Sequence, residues 1–546
     1  MSSHPHIRNS TGPPNPAHSI PASSAHDFSS SSVDIQGVHG STRFSNTWMT
    51  PKAESSEGPM IRRAASPDES LEQPVGGKKW RTTIEMLPED TLLGIFDFYR
   101  LLQMKQSYGS QWNWLRLAHV CRTWRYVISM SPRSLDMQIL CTYGAPIRST
   151  LNSWPSLPLV ISINSNWKLK HIPQNVIVAF RHPDRLYKIE LYVTSSIIGS
   201  IVEAIQKPCQ ALESIQITVR DATGPSIPFR NAFLGGSAPH LREIKLDGIS
   251  FPFPEIRQVL LSANNLVELY LSRIPNDFYF SPEDLVTGLS TLVQLSKLTV
   301  GFHSPTTSRP PPPSITRSPP RTTFPSLTFL DFHGESEYLE EFVARIELPA
   351  LFKITIGFFN DIVFEMPEFC KFIARLNPLG SPTHAFLKLS RESVKVYFFR
   401  KTDSINDWFC SLQTSCRRLD WRLSFVTQIT SQLSPLLPSV RSFVIDYAFE
   451  MPIEEDVDST QWLELFQLFT HVTNVTVWEN RLVPVIVQTL AMEGIAGGVL
   501  PDLTSLCLNG YRSTPSVAKA AEQFVATRRL SGHTVDLTER YSSDSS

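Results

Sequence analysis

A short apolar motif recurs along this chain of 546 residues, and its spacing strongly limits the folds available to it. Each window carries apolar side chains at its first, fourth and sixth positions. Ten windows fit this pattern: Leu186/Ile189/Leu191, Leu212/Ile215/Ile217, Leu241/Ile244/Leu246, Leu266/Leu269/Leu271, Leu295/Leu298/Val300, Leu327/Leu330/Phe332, Leu351/Ile354/Ile356, Val440/Phe443/Ile445, Val472/Val475/Val477 and Leu503/Leu506/Leu508. Their starts lie 24 to 32 residues apart, except for one interval of 89 residues. Residues two positions apart point to the same side of a strand, so the pattern predicts a repeated short strand.

The spacing also leaves room for a segment that returns the chain between strands. Amphipathic stretches at 254–261, 281–289 and 461–469 are predicted as returning helices. A single unit buries too few apolar side chains to stand alone, so neighbouring units must stack. The pattern resembles the strand signature of leucine-rich repeats, which implies an α/β solenoid with a parallel sheet on its concave face. The alternative is a two-layer α/β domain with ordinary parallel strands.

The interval of 89 residues is about three repeat periods long and calls for additional strands. Two degenerate repeats are predicted to fill it, near His384/Leu387/Leu389 and Cys416/Leu419/Trp421.

Residues 87–125 differ from the repeats and predict two amphipathic helices. Pro88 suits a first helical turn, where its missing N–H costs nothing, and Glu89 and Asp90 complement the helix dipole. The first helix has an apolar face formed by Leu92, Leu93, Ile95, Phe96 and Tyr99. The second is predicted over 112–129, with one face formed by Leu117, Val120, Cys121, Trp124 and Ile128. By periodicity alone, these are ordinary core helices of a larger domain.

The order of residue types in this segment resembles the F-box, a small all-α module that docks onto an adaptor subunit. The F-box pattern is Leu-Pro, an acid two residues on, paired aliphatics, Ile-Phe, and a later Val-Cys-(basic)-X-Trp run. The matching residues are Leu87, Pro88, Asp90, Leu92, Leu93, Ile95, Phe96, Val120, Cys121, Arg122 and Trp124. Two features depart from it: Thr91 replaces the usual aliphatic, and the link 100–114 is longer than usual. Further likeness to a large fungal class of F-box proteins extends the resemblance over about residues 80–163.

The resemblance implies a receptor rather than an enzyme. An F-box docks a Skp-type adaptor, and through it a cullin, in an SCF-type ubiquitin ligase, while the repeat domain binds a target protein. The implied adaptor-binding residues are Leu87, Pro88, Leu92, Ile95, Phe96, Leu117, Val120, Cys121 and Trp124. A second hypothesis is a ubiquitin-independent scaffold whose helices only cap the solenoid. A third is an enzyme with an unrecognised site.

The residues beside the apolar positions of each window are predicted to face outward on the concave side. They mix charged and aromatic side chains, as protein-recognition surfaces do. The predicted target-binding anchors are Tyr192, Tyr270, His333 and Trp478. The alternative for Tyr270 and Trp478 is simple packing on a neighbouring strand.

Composition divides the chain into four segments. Residues 1–79 are rich in Ser, Pro, His and Gly and are predicted to be disordered, followed by the F-box and its extension at 80–163. The solenoid is predicted over 164–538, with a Pro-rich loop at 304–323 and a disordered tail at 539–546.

Charge, cysteine usage and motifs exclude several classes of function. The formal net charge of −1 argues against a nucleic-acid partner. Seven scattered cysteines without a C-x-x-C pair predict a reducing, intracellular compartment, cytoplasmic or nuclear, and no structural zinc. The apolar run 482–500 contains Gln488 and Glu493 and is predicted as a buried helix and turn, so no membrane association is expected.

No phosphate-binding, dinucleotide-binding or hydrolase motif is present, and no cofactor is expected. Cys410, Cys416 and His384 could be read as a thiol site, but their spacing favours structural cysteines. The sequence therefore predicts a non-catalytic protein.

Overall fold

A computed structural model describes residues 87–540 of the protein. Residues 105–112, 132–137, 143–146, 154–156, 165–173, 221–232, 250–251, 305–319, 360–365, 377–380, 391–392, 401–407, 416–418, 435, 448–458, 479–481, 493–498 and 510–514 are outside the described part.

The described residues form a mixed α/β structure of alternating helices and short strands. The helices are α1 Glu89–Met104, α2 Asn113–Ala118, α3 Arg122–Met130, α4 Ile147–Ser153, α5 Gln174–Phe180, α6 Ser195–Ala204, α7 Phe253–Ser262, α8 Pro282–Leu289, α9 Ser336–Ala344, α10 Pro367–Arg375, α11 Leu419–Gln432, α12 Ser459–Gln467, α13 Leu482–Met492 and α14 Pro515–Leu530. The strands are β1 Ile139–Cys141, β2 Leu159–Asn164, β3 Leu186–Val193, β4 Ser214–Val219, β5 Glu243–Asp247, β6 Glu268–Ile274, β7 Lys297–Phe302, β8 Thr322–Thr323, β9 Phe329–Gly334, β10 Ile346–Glu347, β11 Lys353–Phe358, β12 His384–Leu389, β13 Ser393–Phe399, β14 Trp408–Ser415, β15 Ser442–Tyr447, β16 Asn474–Val477, β17 Ser505–Asn509 and β18 Asp536–Arg540.

One large sheet contains all of these strands except β8 and β10. Its 16 strands lie in the order β1-β2-β3-β4-β5-β6-β7-β9-β11-β14-β13-β12-β15-β16-β17-β18. Every described pairing in it is parallel, apart from the two that β13 makes with β12 and β14. This mostly parallel sheet, built from successive strand-and-return units, is the leucine-rich-repeat-like arrangement that the sequence predicted.

In all ten predicted windows the fourth and sixth positions lie on strands of this sheet, and all three apolar residues are buried. The first position precedes its strand in every window except that of Leu186, which begins β3. Equivalent positions pair from strand to strand: Ile189 opposes Ile215, which in turn opposes Ile244. The same side chains therefore form continuous apolar rows along the solenoid. Helices α7 to α10 pack on one another in chain order over the buried rows, and the predicted returning helices are confirmed as α7, α8 and α12.

The interval of 89 residues holds a different structure from the one predicted. The window His384/Leu387/Leu389 is a strand, β12, as predicted, but it lies three strand positions away from β11. Strand β13 then turns back antiparallel, and β14 fills the position next to β11. The predicted repeat at Cys416/Leu419/Trp421 is wrong, because Leu419 and Trp421 belong to helix α11; Cys416 is outside the described residues.

The N-terminal helices also differ from the prediction. The predicted helix over 112–129 is broken into α2 and α3, because the sulfur of Cys121 caps α3 by accepting a hydrogen bond from the Trp124 backbone N–H at 3.4 Å. The break rotates Val120 away from the core, and this side chain is 57% exposed. Leu92 is fully buried rather than available on the surface.

Three segment boundaries are shifted as well. The solenoid was predicted to start at residue 164, but β1 lies before that residue and β2 ends on it. Strand β18 includes the first residues of the predicted disordered tail. The end of the predicted Pro-rich loop forms β8, which pairs with β10. The rest of that loop, at 305–319, and residues 1–79 are outside the described part.

Candidate protein-interaction surfaces

One side of the sheet, which we call the open face, carries the polar and aromatic residues that alternate with the buried rows. Their side chains also align from strand to strand. One such row runs from Glu190 through Gln216, Lys245 and Tyr270 to Thr299. The outward positions predicted from the windows are therefore neighbours across the sheet.

Between β3 and β7 the open face is a network of paired charges. Lys188 lies 2.5 Å from Glu190, and Lys297 lies 3.5 Å from Glu268. Lys245 bridges two strands, at 2.5 Å from Glu243 and 3.0 Å from Glu268. The three lysines balance the three glutamates, so this part of the face has little net charge.

The pKa values of this network follow from the pairing. Partial burial disfavours the charged form of Glu243, but hydrogen bonds from Lys245 and Ser214 outweigh it and hold its pKa below the usual value. Burial likewise disfavours the charge on Lys245, and its two carboxylate partners outweigh that and raise its pKa. These charges are already satisfied within the sheet.

A cleft of about 1220 Å³ hollows the open face between β3 and β11. It contains two of the predicted anchors, Tyr192 and Tyr270, together with Phe329, Phe352 and Lys353 at its far side. The hydroxyl of Tyr192 accepts a hydrogen bond of 2.6 Å from Gln216, which fixes the ring against the neighbouring strand.

The side chain of His333, the third predicted anchor, lies against neighbouring residues of the sheet. Its ring lies 3.2 Å from the Asp331 carboxylate and within hydrogen-bonding distance of the Gln413 amide, at 3.2 Å. The ring passes over Gly357, where a Cβ atom would lie only 2.2 Å from it. His333 therefore contacts side chains of its own sheet.

Trp478, the fourth predicted anchor, follows β16, and more than half of its surface, 57%, is exposed to solvent. Five strand steps separate β16 from β11 at the edge of the cleft, roughly 24 Å at about 4.8 Å per step. The structure thus brings Tyr192 and Tyr270 together in one cleft and leaves Trp478 remote from it.

A second surface of the open face was missed by sequence reasoning. We call it the aromatic–cationic patch, and it consists of Phe352, Lys353, Phe386, Lys388, Lys395, Tyr397, Arg400 and Trp408. The Tyr397 ring lies 6.1 Å from Phe386 and 6.0 Å from Trp408. The Lys353 ammonium stands 3.5 Å above the Trp408 ring, and the Arg400 guanidinium 4.5 Å from the Phe352 ring.

The patch lies on β11 to β14, where the antiparallel insertion interrupts the repeats. One sequence signal could have revealed part of it. Residues 387–389 read Leu-Lys-Leu and residues 394–396 read Val-Lys-Val, so two short alternating runs lie on either side of a polar turn, as in a hairpin.

The N-terminal helices present a third surface. Helix α1 exposes Ile95, Phe98 and Leu102 by 41%, 64% and 44%, and their spacing aligns them along one side of the helix. Of the predicted adaptor-binding residues, Pro88, Ile95 and Val120 are exposed, and Leu87 and Cys121 are half-buried.

The remaining predicted adaptor-binding residues lie in the core. Leu92, Phe96, Leu117 and Trp124 are buried, and the rings of Phe96 and Trp124 meet edge to face at 4.8 Å. They hold the helices together rather than offer a surface.

Three cysteines of the described residues, Cys141, Cys209 and Cys410, are buried. Burial raises the pKa of Cys141, Cys209 and Cys410 to about 12, which disfavours the nucleophilic thiolate. Cys410 faces the helices, whereas His384 faces the open side, so the hypothetical thiol site is not assembled.

The described part of the chain contains neither a metal-binding cluster nor a membrane-spanning helix. No group of three or more His, Cys, Asp or Glu residues there is placed to hold a metal ion. No helix there has the length and apolar character that crossing a membrane requires.

Comparison with solved structures gives weak similarities, of which two follow. No family model and no curated protein matches the chain. The crystal structure of the TLR13–ssRNA13 complex has 12% identity and a TM-score of 0.29, over 74% of this chain and 49% of that one. The leucine-rich repeat-containing protein LegL7 from Legionella pneumophila has 12% identity and a TM-score of 0.25, over 71% and 97%. The chain spans about half the length of the first structure.

Proposed function

We propose that this protein is the substrate-recognition subunit of an SCF-type ubiquitin ligase. Helices α1 to α3 dock a Skp-type adaptor, which links the protein to a cullin, and the open face of the sheet binds a target protein. In this role the protein raises the effective concentration of the target near the ubiquitin-loaded enzyme. It does not itself supply residues that make or break bonds.

The exposed apolar side chains of α1 carry this proposal. Ile95, Phe98 and Leu102 present large apolar groups to solvent next to the exposed Pro88, within the segment that matches the F-box in order. An exposed apolar stripe of this kind is typical of a protein-binding surface. A helix that only caps a solenoid would instead have a polar outer face.

Adaptor binding is the decisive measurement. The double variant Ile95→Asp with Phe98→Asp changes only exposed positions, so we expect it to fold and to bind a purified Skp-type adaptor at least about tenfold more weakly. Leu530→Asp is the matched control, because Leu530 is an apolar residue 89% exposed on the distant helix α14.

Retained adaptor binding by the folded double variant would refute the assigned surface. Failure of the unmodified chain to bind the adaptor would favour the alternative function, a ubiquitin-independent protein-interaction scaffold.

A further inference from the structure

We propose that the aromatic–cationic patch binds an acidic segment of the partner, an extended stretch that carries several Asp or Glu residues beside an aromatic or aliphatic side chain. This inference rests on the proposed function, in which the open face receives the target, and it specifies both the part of the face and the chemistry of the ligand.

Two lysines of the patch lie opposite each other, although their like charges repel. Lys388 on β12 and Lys395 on β13 occupy directly opposite positions in the antiparallel pair. Like charges directly opposite each other destabilise a sheet. Asp446 on β15 occupies the register position directly opposite Lys388, yet neither lysine makes an ion pair or hydrogen bond with another described residue. A ligand carboxylate between them would relieve their repulsion.

The distribution of charge favours a run of carboxylates over one compact anion. The cations Lys353, Lys395 and Lys388 lie on strands separated by up to three steps, about 14 Å at about 4.8 Å per step. A single phosphate cannot reach across that distance. An extended peptide places alternate side chains about 6.6 Å apart on one side, which suits several separate ion pairs.

The aromatic rings supply the apolar part of the same surface. Phe352 is 57% exposed, and Phe386, Tyr397 and Trp408 are half-buried between the cations. Flat rings of this kind bury a large contact area and lose little conformational entropy on binding. Acidic residues alone would leave this apolar area uncovered, so the ligand also needs an apolar side chain.

In the other half of the open face, the lysines are paired with carboxylates. Between β3 and β7, each of Lys188, Lys245 and Lys297 already has a glutamate partner within 3.5 Å. The patch therefore concentrates the positive charge of the open face at the antiparallel insertion, and an acidic segment would be steered there.

The test begins with a selection. A phage-displayed library of random peptides about 12 residues long is selected on the full chain, and the affinity of the best peptide is measured by fluorescence anisotropy. We expect the selected peptides to be enriched in Asp and Glu together with Trp, Phe or Leu, and their binding to weaken at higher salt.

Three variants assign the binding to the patch. We expect Lys388→Gln with Lys395→Gln, and separately Phe352→Ala, to raise the Kd of the best peptide about tenfold or more. The matched control, Lys207→Gln with Lys519→Gln, removes the same charge at exposed positions away from the open face and should change the Kd less than about twofold. Lys395→Glu should abolish binding yet raise the melting temperature, since it pairs with Lys388; misfolding cannot produce that combination.

Each other result overturns the inference. Selection of non-acidic peptides, of none, or of acidic peptides that tolerate the double lysine variant would do so. If the peptides instead lose affinity with Tyr192→Ala and Tyr270→Ala, the proposed target face stands and only the patch fails. The chain's own Glu454, Glu455 and Asp456 follow β15 in the sequence. If neutralising these three residues raises the affinity more than about tenfold, they are the occupant and the inference is overturned.

Discussion

Two glycines of this protein have opposite surroundings. Gly94 lies on the exposed side of α1, and no atom is within 4 Å of the place where a Cβ would stand. Gly334 ends β9 on the buried side, where a Cβ would lie 2.6 Å from the Phe332 ring and 3.2 Å from the Phe302 ring. The same methyl group should therefore have opposite effects at the two positions.

We expect Gly94→Ala to raise the free energy of unfolding by up to about 1 kcal/mol, because alanine is the better helix former. Gly334→Ala should lower it by roughly 1–3 kcal/mol, since two buried rings must move. Urea unfolding followed by tryptophan fluorescence measures both. Equal effects of the same sign would contradict the packing described around Gly334.

The buried thiols make stability depend on alkaline pH. The pKa of Cys141, Cys209 and Cys410 rises from the ordinary 9.0 to about 12 through burial, so the unfolded chain loses these protons first. Their contribution to stability is complete below pH 9 and is lost as pH rises towards 12.

Each thiol should lower the free energy of unfolding by about 1.4 kcal/mol per pH unit within that window. The measurement compares Cys410→Ala with the unmodified chain between about pH 9 and about pH 11. The variant is less stable overall, but its free energy of unfolding should fall less steeply with pH, by about 1.4 kcal/mol per pH unit. Identical slopes would show that Cys410 ionises equally in the folded and unfolded states.

At the scale of elements, the repeated strands were predictable because each window meets the same surroundings. Leu212 and Leu241, for example, occupy equivalent buried positions in successive units. The insertion was not predictable from that pattern. Leu419 and Trp421 have the expected spacing but lie in α11, whereas β14 forms without a matching window.

The sequence contains a signal for the β12–β13 hairpin. It contains no signal for the position of that hairpin in the sheet. That place depends on β14, whose Cys410 pairs with Ile354, 56 residues earlier. No local pattern contains that information, so the patch that the insertion assembles could not be predicted either.

Helix α8 offers a direct test of local stabilisation. The Ser281 hydroxyl caps this helix by accepting a hydrogen bond of 3.1 Å from the Asp284 backbone N–H, and it donates one of 2.6 Å to the Asp284 carboxylate. Thr194 occupies the equivalent position before α6 and makes no such capping bond.

Ser281→Ala should therefore lower the free energy of unfolding by about 1 kcal/mol, and Thr194→Ala by clearly less. Ser281→Thr should retain most of the stability, because its hydroxyl can accept from the same N–H and donate to the same carboxylate. Chemical unfolding of the three variants provides the comparison, and a larger loss at Thr194 would contradict the assigned cap.

At the scale of the whole molecule, the strand order decides which predicted residues meet. Tyr192 and Tyr270 share a cleft because only two strands separate β3 from β6. Trp478 directly follows the last apolar residue of its window, as Tyr192 does. The insertion nevertheless adds three strands between Trp478 and that cleft. The sequence predicted which residues face outward but not how far apart the insertion would place them.

The order β11-β14-β13-β12-β15 also means that the chain completes part of its sheet out of sequence. Strand β12 pairs only with β13 and β15, and β13 only with β12 and β14. Until residues 408–415 are present, β12 and β13 can form only an isolated hairpin, which is marginally stable in water.

Three fragments test this dependence. In fragments 81–359, 81–400 and 81–415, hydrogen exchange should be slow for the alternate β11 amides that bond to β9, because β9 is present in each. The β12 amides that bond to β13 should exchange rapidly in 81–400 and become protected in 81–415, where β14 joins the hairpin to β11. Protection of β12 already in 81–400 would mean that the hairpin docks without β14, and the strand order would then not determine the order of assembly.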